Sequence, residues 1–237
     1  MTLTRLTLPA LVAAVALLAG CATPPDFFHT LRPAAAPVPA GAHDATRLLA
    51  IGPVSVPDSL ARDEWVVRTG DTGARVYDHQ LWTQSLSADV AQALMDYLNR
   101  GGLPDGLWAD AGPTGSGSGA DLERPAPLRV RLQVLRFDSI LAPAPAVGDQ
   151  VRWTLECLPS NAALGPVDAG RYRVVRTAVR DASEPAPPAG AGVEASQQGF
   201  DRVARAHSET VRRVAQDIAD ALRASAAERA QGCLAGH

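Results

Sequence analysis

The sequence predicts an α/β protein: a mixed, largely antiparallel sheet with two main helices packed on it, preceded by a signal peptide and a Pro/Ala-rich tether. Three observations carry this expectation. Several runs alternate apolar and polar residues with period two, as half-buried strands do. Two other stretches repeat apolar residues at helical spacing. The first twenty residues form an apolar run that stops at Cys21.

The clearest strand is Leu128 to Asp138. Leu128, Val130, Leu132 and Val134 face one way, Arg129, Arg131 and Gln133 the other. The phase slips at Leu135-Arg136-Phe137, which predicts a bulge or a strand buried on both sides there. Val151, Trp153, Leu155 and Cys157 alternate with Arg152, Thr154 and Glu156, and a third strand runs from Arg171 to Val179. Three consecutive strands of this kind read as an antiparallel meander. Upstream, Arg47 to Val56 reads as a buried strand in which Pro53 imposes a kink or an edge position. Trp65 to Thr69 and Ala74 to Tyr77 flank Gly70-Asp71-Thr72-Gly73, a hairpin signal. Leu107 and Trp108 form a short strand within a Gly- and Pro-rich stretch, and Phe27 to Leu31 suits another.

The first helix is expected over Ser85 to Arg100, with Leu86, Val90, Leu94, Tyr97 and Leu98 on one face. Ser85 or Ser87 caps it, and Gly101 and Gly102 end it. The second spans Gln198 to about Ala224, with an apolar stripe through Val203, Val211, Val214, Ile218 and Leu222. His207 lies beside that stripe and reads as a packing residue. Asp201–Arg205 and Glu209–Arg213 are acid-before-base pairs one turn apart.

Composition narrows the function. The chain has 237 residues, is 46% hydrophobic and 20% charged, and carries a formal charge of -3, so no basic excess points to nucleic acid. Its 22 basic residues are all arginine. A Walker-A loop, a Schiff-base lysine and a serine–lysine dyad each need a lysine and are excluded. No G-x-S-x-G, H-E-x-x-H or C-x-x-C motif occurs, and the five histidines are scattered. The expectation is a protein that is not an enzyme and takes no metal or cofactor.

Arg5 is the only charge in the first 25 residues, and Leu6 to Ala19 is too short an apolar run to cross a bilayer. It closes on Leu18-Ala19-Gly20-Cys21. That sequence resembles a bacterial lipoprotein signal, in which cleavage precedes the cysteine and its sulfur is acylated, with palmitate among the chains. The absence of Asp after Cys21 implies sorting to the outer membrane. Cys157 and Cys233 remain, in a compartment that permits disulfides. A bridge between them and two free thiols both stay open, since spacing does not fix connectivity.

Three further places resemble one family. They are Phe27-Phe28 with Leu31, the run Ile51-Gly52-Pro53-Val54-Ser55-Val56-Pro57 with Leu60 and Arg62, and Trp65-Val66-Val67-Arg68 leading to Trp82 and the first helix. Together they are similar to the ABC-type transport auxiliary lipoproteins of the PqiC type, over about residues 26–222. Phenylalanines stand at 27 and 28 where that family usually carries tyrosines. The resemblance implies a lipid-anchored subunit of an intermembrane phospholipid transport system, facing the periplasm from the outer membrane. Its implied partners are the membrane, through its acyl chains, a protein with MCE (mammalian-cell-entry) domains that bridges the periplasm, and further copies of itself in a ring. A structural envelope scaffold and, last, a periplasmic hydrolase are the alternatives.

The domain expectation is a signal peptide over 1–20, a lipidated tether with a short strand over 21–46, the auxiliary domain over 47–224 and a flexible tail over 225–237. Cys21 is the expected lipid attachment site. Phe27, Phe28, Trp65 and Trp82 are candidate membrane or partner contacts, with a core plug as the plainer reading of Phe27 and Phe28. Arg129, Arg131, Arg152, Arg171 and Arg173 share a polar sheet face. It reads either as a solvated surface with Glu156 as partner or as a site for anions and phospholipid headgroups, since guanidinium pairs well with phosphate.

Overall fold

A computed structural model describes residues 24–32, 47–101, 103–104, 106–111, 128–157, 173–186 and 197–227. The expected signal peptide, Cys21, the Pro-rich part of the tether, the glycine-rich loop, Arg171, Cys233 and residues 228–237 of the expected tail lie outside these residues, whereas 225–227 of that tail are helical.

Eight strands form one sheet: β1 (Phe27–His29), β2 (Arg47–Ser55), β3 (Glu64–Arg68), β4 (Ala74–Trp82), β5 (Leu107–Ala111), β6 (Leu128–Ile140), β7 (Ala146–Cys157) and β8 (Arg173–Pro185). Two helices accompany them, α1 (Leu86–Gly101) and α2 (Gln198–Ala227). β6 is the spine. Its first half pairs parallel with β2 and its last residues pair parallel with β3, while β7 lies antiparallel along its whole other side. The sheet then runs outward through β4 to β1, through β2 to β5 and through β7 to β8. Among the described residues β1, β5 and β8 are therefore its edges. The long ladders are the antiparallel ones, β6 with β7 and β7 with β8.

Both helices cover the same sheet face. α1 packs on β2 and β5, and α2 on β6, β7 and β8. Ile51, Val130, Leu155, Leu94 and Ile218 meet in that layer at 3% exposure or less. The predicted bulge at residue 135 is a register shift between Val134 and Arg136. Pro53 marks a second shift, between Ile51 and Val54. β2 lies between β5 and β6, but its β5 partners end at Ile51↔Ala111, so among the described residues Pro53 kinks the strand beyond that ladder. A Cβ at Gly52 would stand 3.2 Å from the Val130 carbonyl and the Arg131 side chain, so glycine lets the two backbones approach there. The hairpin reverses at Gly70, whose φ of +138° favours glycine.

Several strands exceed their expected lengths: β4 runs on to Trp82, β5 to Ala111 and β6 to Ile140. β7 starts at Ala146 because Val147, Gly148 and Asp149 are buried in succession, which erases the alternation. β8 continues to Pro185.

Candidate functional site: the N-terminal bolt and the groups beneath it

The segment just behind Cys21 is integral to the fold. β1 adds to the sheet edge parallel to β4, with Phe27 opposite Gln80, Phe28 opposite Leu81 and His29 opposite Trp82. The Thr83 N–H donates to the His29 carbonyl at 2.9 Å. The chain then turns inward on Asp89, in the first turn of α1, which is fully buried. Its carboxylate accepts from the Leu31 N–H at 2.7 Å, the Thr30 hydroxyl at 2.9 Å and the Gln84 amide at 3.2 Å. A helix N-terminus favours a negative charge, so this position suits an acid. The Ser208 hydroxyl on α2 donates to the Leu31 carbonyl at 2.8 Å, and Tyr97 on α1 bonds Ser208 at 2.7 Å. Leu31 is fully buried. Two helices and a strand thus hold five consecutive residues. At the outer end the Asp26 carboxylate lies 2.8 Å from His79 Nδ1.

Beneath this bolt lies a buried polar chain. The Asp149 carboxylate is 2.8 Å from His207 Nδ1, and His207 Nε2 is 2.9 Å from Ser139 Oγ. The Trp65 indole N–H donates to Ser139 Oγ at 2.7 Å. With Nδ1–H given to the carboxylate, Nε2 accepts the Ser139 proton, and the Ser139 oxygen is filled by Trp65. Every member is satisfied, as a buried polar network must be. The residue types are those of a nucleophilic triad. Asp149 and His207 are fully buried, however, Ser139 is 2% exposed, and Phe137 stacks on His207 at 3.8 Å. No substrate reaches the serine in this conformation. The chain fastens α2 to β3, β6 and β7.

Aromatic rings surround it. Trp65 stacks on Trp82 at 4.2 Å, meets His29 edge-on at 4.7 Å and Phe200 at 5.6 Å. Trp65 and Trp82, expected as contacts, are 1% and 6% exposed and belong to the core. The reason is their place on inward positions of β3 and β4 under α2. Phe28 points the other way and is 62% exposed, whereas Phe27 is half-buried. Burial lowers the His29 pKa from its usual value, against the opposing pull of a 2.7 Å hydrogen bond to Gln80 and the charge of Asp201.

The helix-free face carries the arginines. Arg129 and Arg131 both grip Glu156, Arg129 at 2.7 Å, and Glu156 is buried beneath them. Arg152 donates to Gln133 at 3.1 Å. Arg173 pairs in register with Cys157, out of phase with Arg152 and Glu156. Thus the structure joins Arg129 and Arg131 through Glu156 and places Arg152 beside Gln133. Cys157 is buried and disulfide-bonded, and both other cysteines lie outside the described residues. Among the described residues no cluster of potential ligands could hold a metal, and no helix is long and apolar enough to cross a membrane.

This is a mixed α/β domain whose first described strand leads into a turn fastened to both helices. The family model for the ABC-type transport auxiliary lipoprotein component matches residues 29–219, and the chain belongs to that family. Two crystal structures share its fold. One, of an uncharacterized protein, aligns with a TM-score of 0.54 at 18% identity, covering 83% of this chain and 98% of the other. The second, from Xanthomonas campestris, aligns with a TM-score of 0.55 at 15% identity, covering 86% and 99%. No curated protein matches the sequence.

Proposed function

We propose that the protein is a non-enzymatic outer-membrane lipoprotein, the subunit of an MCE-type intermembrane phospholipid transporter that docks its periplasmic bridge. Membership of the transport auxiliary family supports the accessory role. The observation that carries the reading is the Asp89 bolt, which ties Thr30 and Leu31, the end of the segment that follows Cys21, to both helices. Acyl chains on that cysteine then hold the whole body, since each buried methylene contributes about 0.8 kcal/mol. An acylated Cys21 also leaves Cys233 as the bridging partner of Cys157. The sealed Asp149–His207–Ser139 chain supports a role without catalysis, because its groups are spent on each other.

Affinity capture of the acylated protein should bring down an MCE-domain protein. Cys21→Ala should lose envelope function while its unfolding curve stays unchanged. Full complementation by Cys21→Ala would refute the reading. Ser139 should stay unlabelled by a fluorophosphonate under native conditions, and rapid labelling would revive the hydrolase alternative.

A further inference from the structure

We propose that the β1–β4 edge of the sheet is the surface that lies on the bilayer, with Phe28 as the side chain that enters the headgroup–acyl boundary. This rests on the reading of Cys21 as an acylated residue. The argument is one of reach. An extended chain spans at most about 3.6 Å per residue, so the three steps from Cys21 to Pro24 cover no more than about 11 Å. From Pro24 onward there is little slack. Pro24 and Pro25 have a fixed φ, and a Pro-rich spacer is semi-rigid. Asp26 is held by His79, and β1 begins at the next residue. The lipid-bearing sulfur is therefore leashed to one edge of the molecule. β8, at the far end of the path β1-β4-β3-β6-β7-β8, is five strand spacings away, about 24 Å at roughly 4.8 Å each.

The chemistry of that edge fits a lipid surface. Phe28 sits two residues past the pinned Asp26 with 62% of its surface in solvent. It projects on the helix-free face beside its register partner Leu81, which is half-buried. A large exposed apolar side chain within reach of acyl chains gains by entering the interface, where phenylalanine is favoured. Nothing in the core needs it there, because His29 and Leu31 already anchor the strand from the other side. The exposed Val174 on β8 is comparably apolar, with 61% in solvent, and serves as the control at the opposite edge.

The test uses the full acylated protein in vesicles of phosphatidylethanolamine and phosphatidylglycerol, with and without bromine on the acyl chains. Phe28→Trp and Val174→Trp each add one indole at an exposed position, and the parent emission is subtracted. The added emission of Phe28→Trp should fall by about half or more in brominated vesicles, as for an aromatic ring seated at the interface. That of Val174→Trp should be unchanged. An unquenched Phe28→Trp overturns the proposal and covers the case in which a second copy or a protein partner occupies this edge. Stronger quenching at position 174 overturns the orientation. Mass spectrometry of the same sample separates the two readings. An unmodified Cys21 defeats the lipoprotein reading and this proposal with it, whereas acylation without quenching defeats only the orientation.

Discussion

The two wings of the sheet are built on different principles. The β6–β7–β8 wing is a regular antiparallel meander, held by twelve register partners between β6 and β7 that run from Leu128↔Cys157 to Ile140↔Ala146. Its cohesion is spread over many backbone bonds. The β1–β4–β3 wing has little such redundancy. β1 contributes three register partners, and β3 meets β6 through only two, Val67↔Ser139 and Arg68↔Ile140. Side chains compensate there: Asp89 and Ser208 at the bolt, and Trp65 with its buried partners below. Cohesion concentrated in a few polar groups is more exposed to single substitutions, and the wing so built is the one nearest Cys21.

The largest effect should come from His207→Ala. It removes the partner of a fully buried Asp149 and unties Ser139 and Trp65. Leaving the buried Asp149 carboxylate without its donor costs about 3–5 kcal/mol. Urea unfolding should show the loss, with far-ultraviolet dichroism and tryptophan emission moving together. A loss under about 1 kcal/mol, the scale of an exposed ion pair, would show that the buried chain does not bind the wings together.

Asp89→Ala should cost less, about 1–3 kcal/mol, the penalty for leaving a buried donor unmatched. The loss should be regional. Hydrogen exchange should accelerate at residues 27–31 while the β6–β7 ladder keeps its protection. Uniform acceleration would mean that the wings do not open separately.

How legible each wing was in the sequence follows the same division. The meander is written in the alternation of Leu128, Val130, Leu132 and Val134 and of Val151, Trp153, Leu155 and Cys157, a local signal that strands impose on themselves. Both helices were equally plain from their spacing. The other wing depends on meetings that no local pattern encodes. Asp149 and Ser139 stand 58 and 68 residues from His207, and Leu31 stands 177 residues from Ser208. His207 therefore reads as packing, and Asp89 carries no local sign of its partners. Trp65 and Trp82 read as surface contacts because Trp65 opens its expected strand and Trp82 lies past the expected end of the next, at Tyr77, so neither is flanked by a pattern that shows what covers it. The bulge in β4 that turns Tyr77 and Trp82 to the same core has no sequence signal either. The parallel pairings of β2 with β5 and β6 escape for a further reason: long connections separate the partners.

On the meander, Glu156→Gln should have a smaller effect, about 1–2 kcal/mol. The buried carboxylate loses its charge between Arg129 and Arg131, but an amide oxygen still accepts, the ladder around it persists and Arg131 is half in solvent. A loss near that of His207→Ala would place the greater dependence in this wing and reverse the contrast drawn above.

The smallest effect should be a pH response confined to the β1 wing. His29 sits against Trp65 and Phe200, and burial lowers its pKa from the ordinary value of 6.5, more than the Gln80 hydrogen bond and the charge of Asp201 restore. The unfolded strand then binds a proton at a pH where the folded one does not. Stability is fully present above about pH 6.5, the unfolded value, and declines as pH falls through the lower folded value. The ring is only half-buried, so solvent screening keeps the effect modest. Exchange at residues 27–31, corrected for its intrinsic pH dependence, should rise between pH 7 and 5 while that of β7 stays level. His29→Gln, which keeps a hydrogen-bonding group but cannot titrate, should flatten the response. If the rise survives in His29→Gln, the response does not come from this ring.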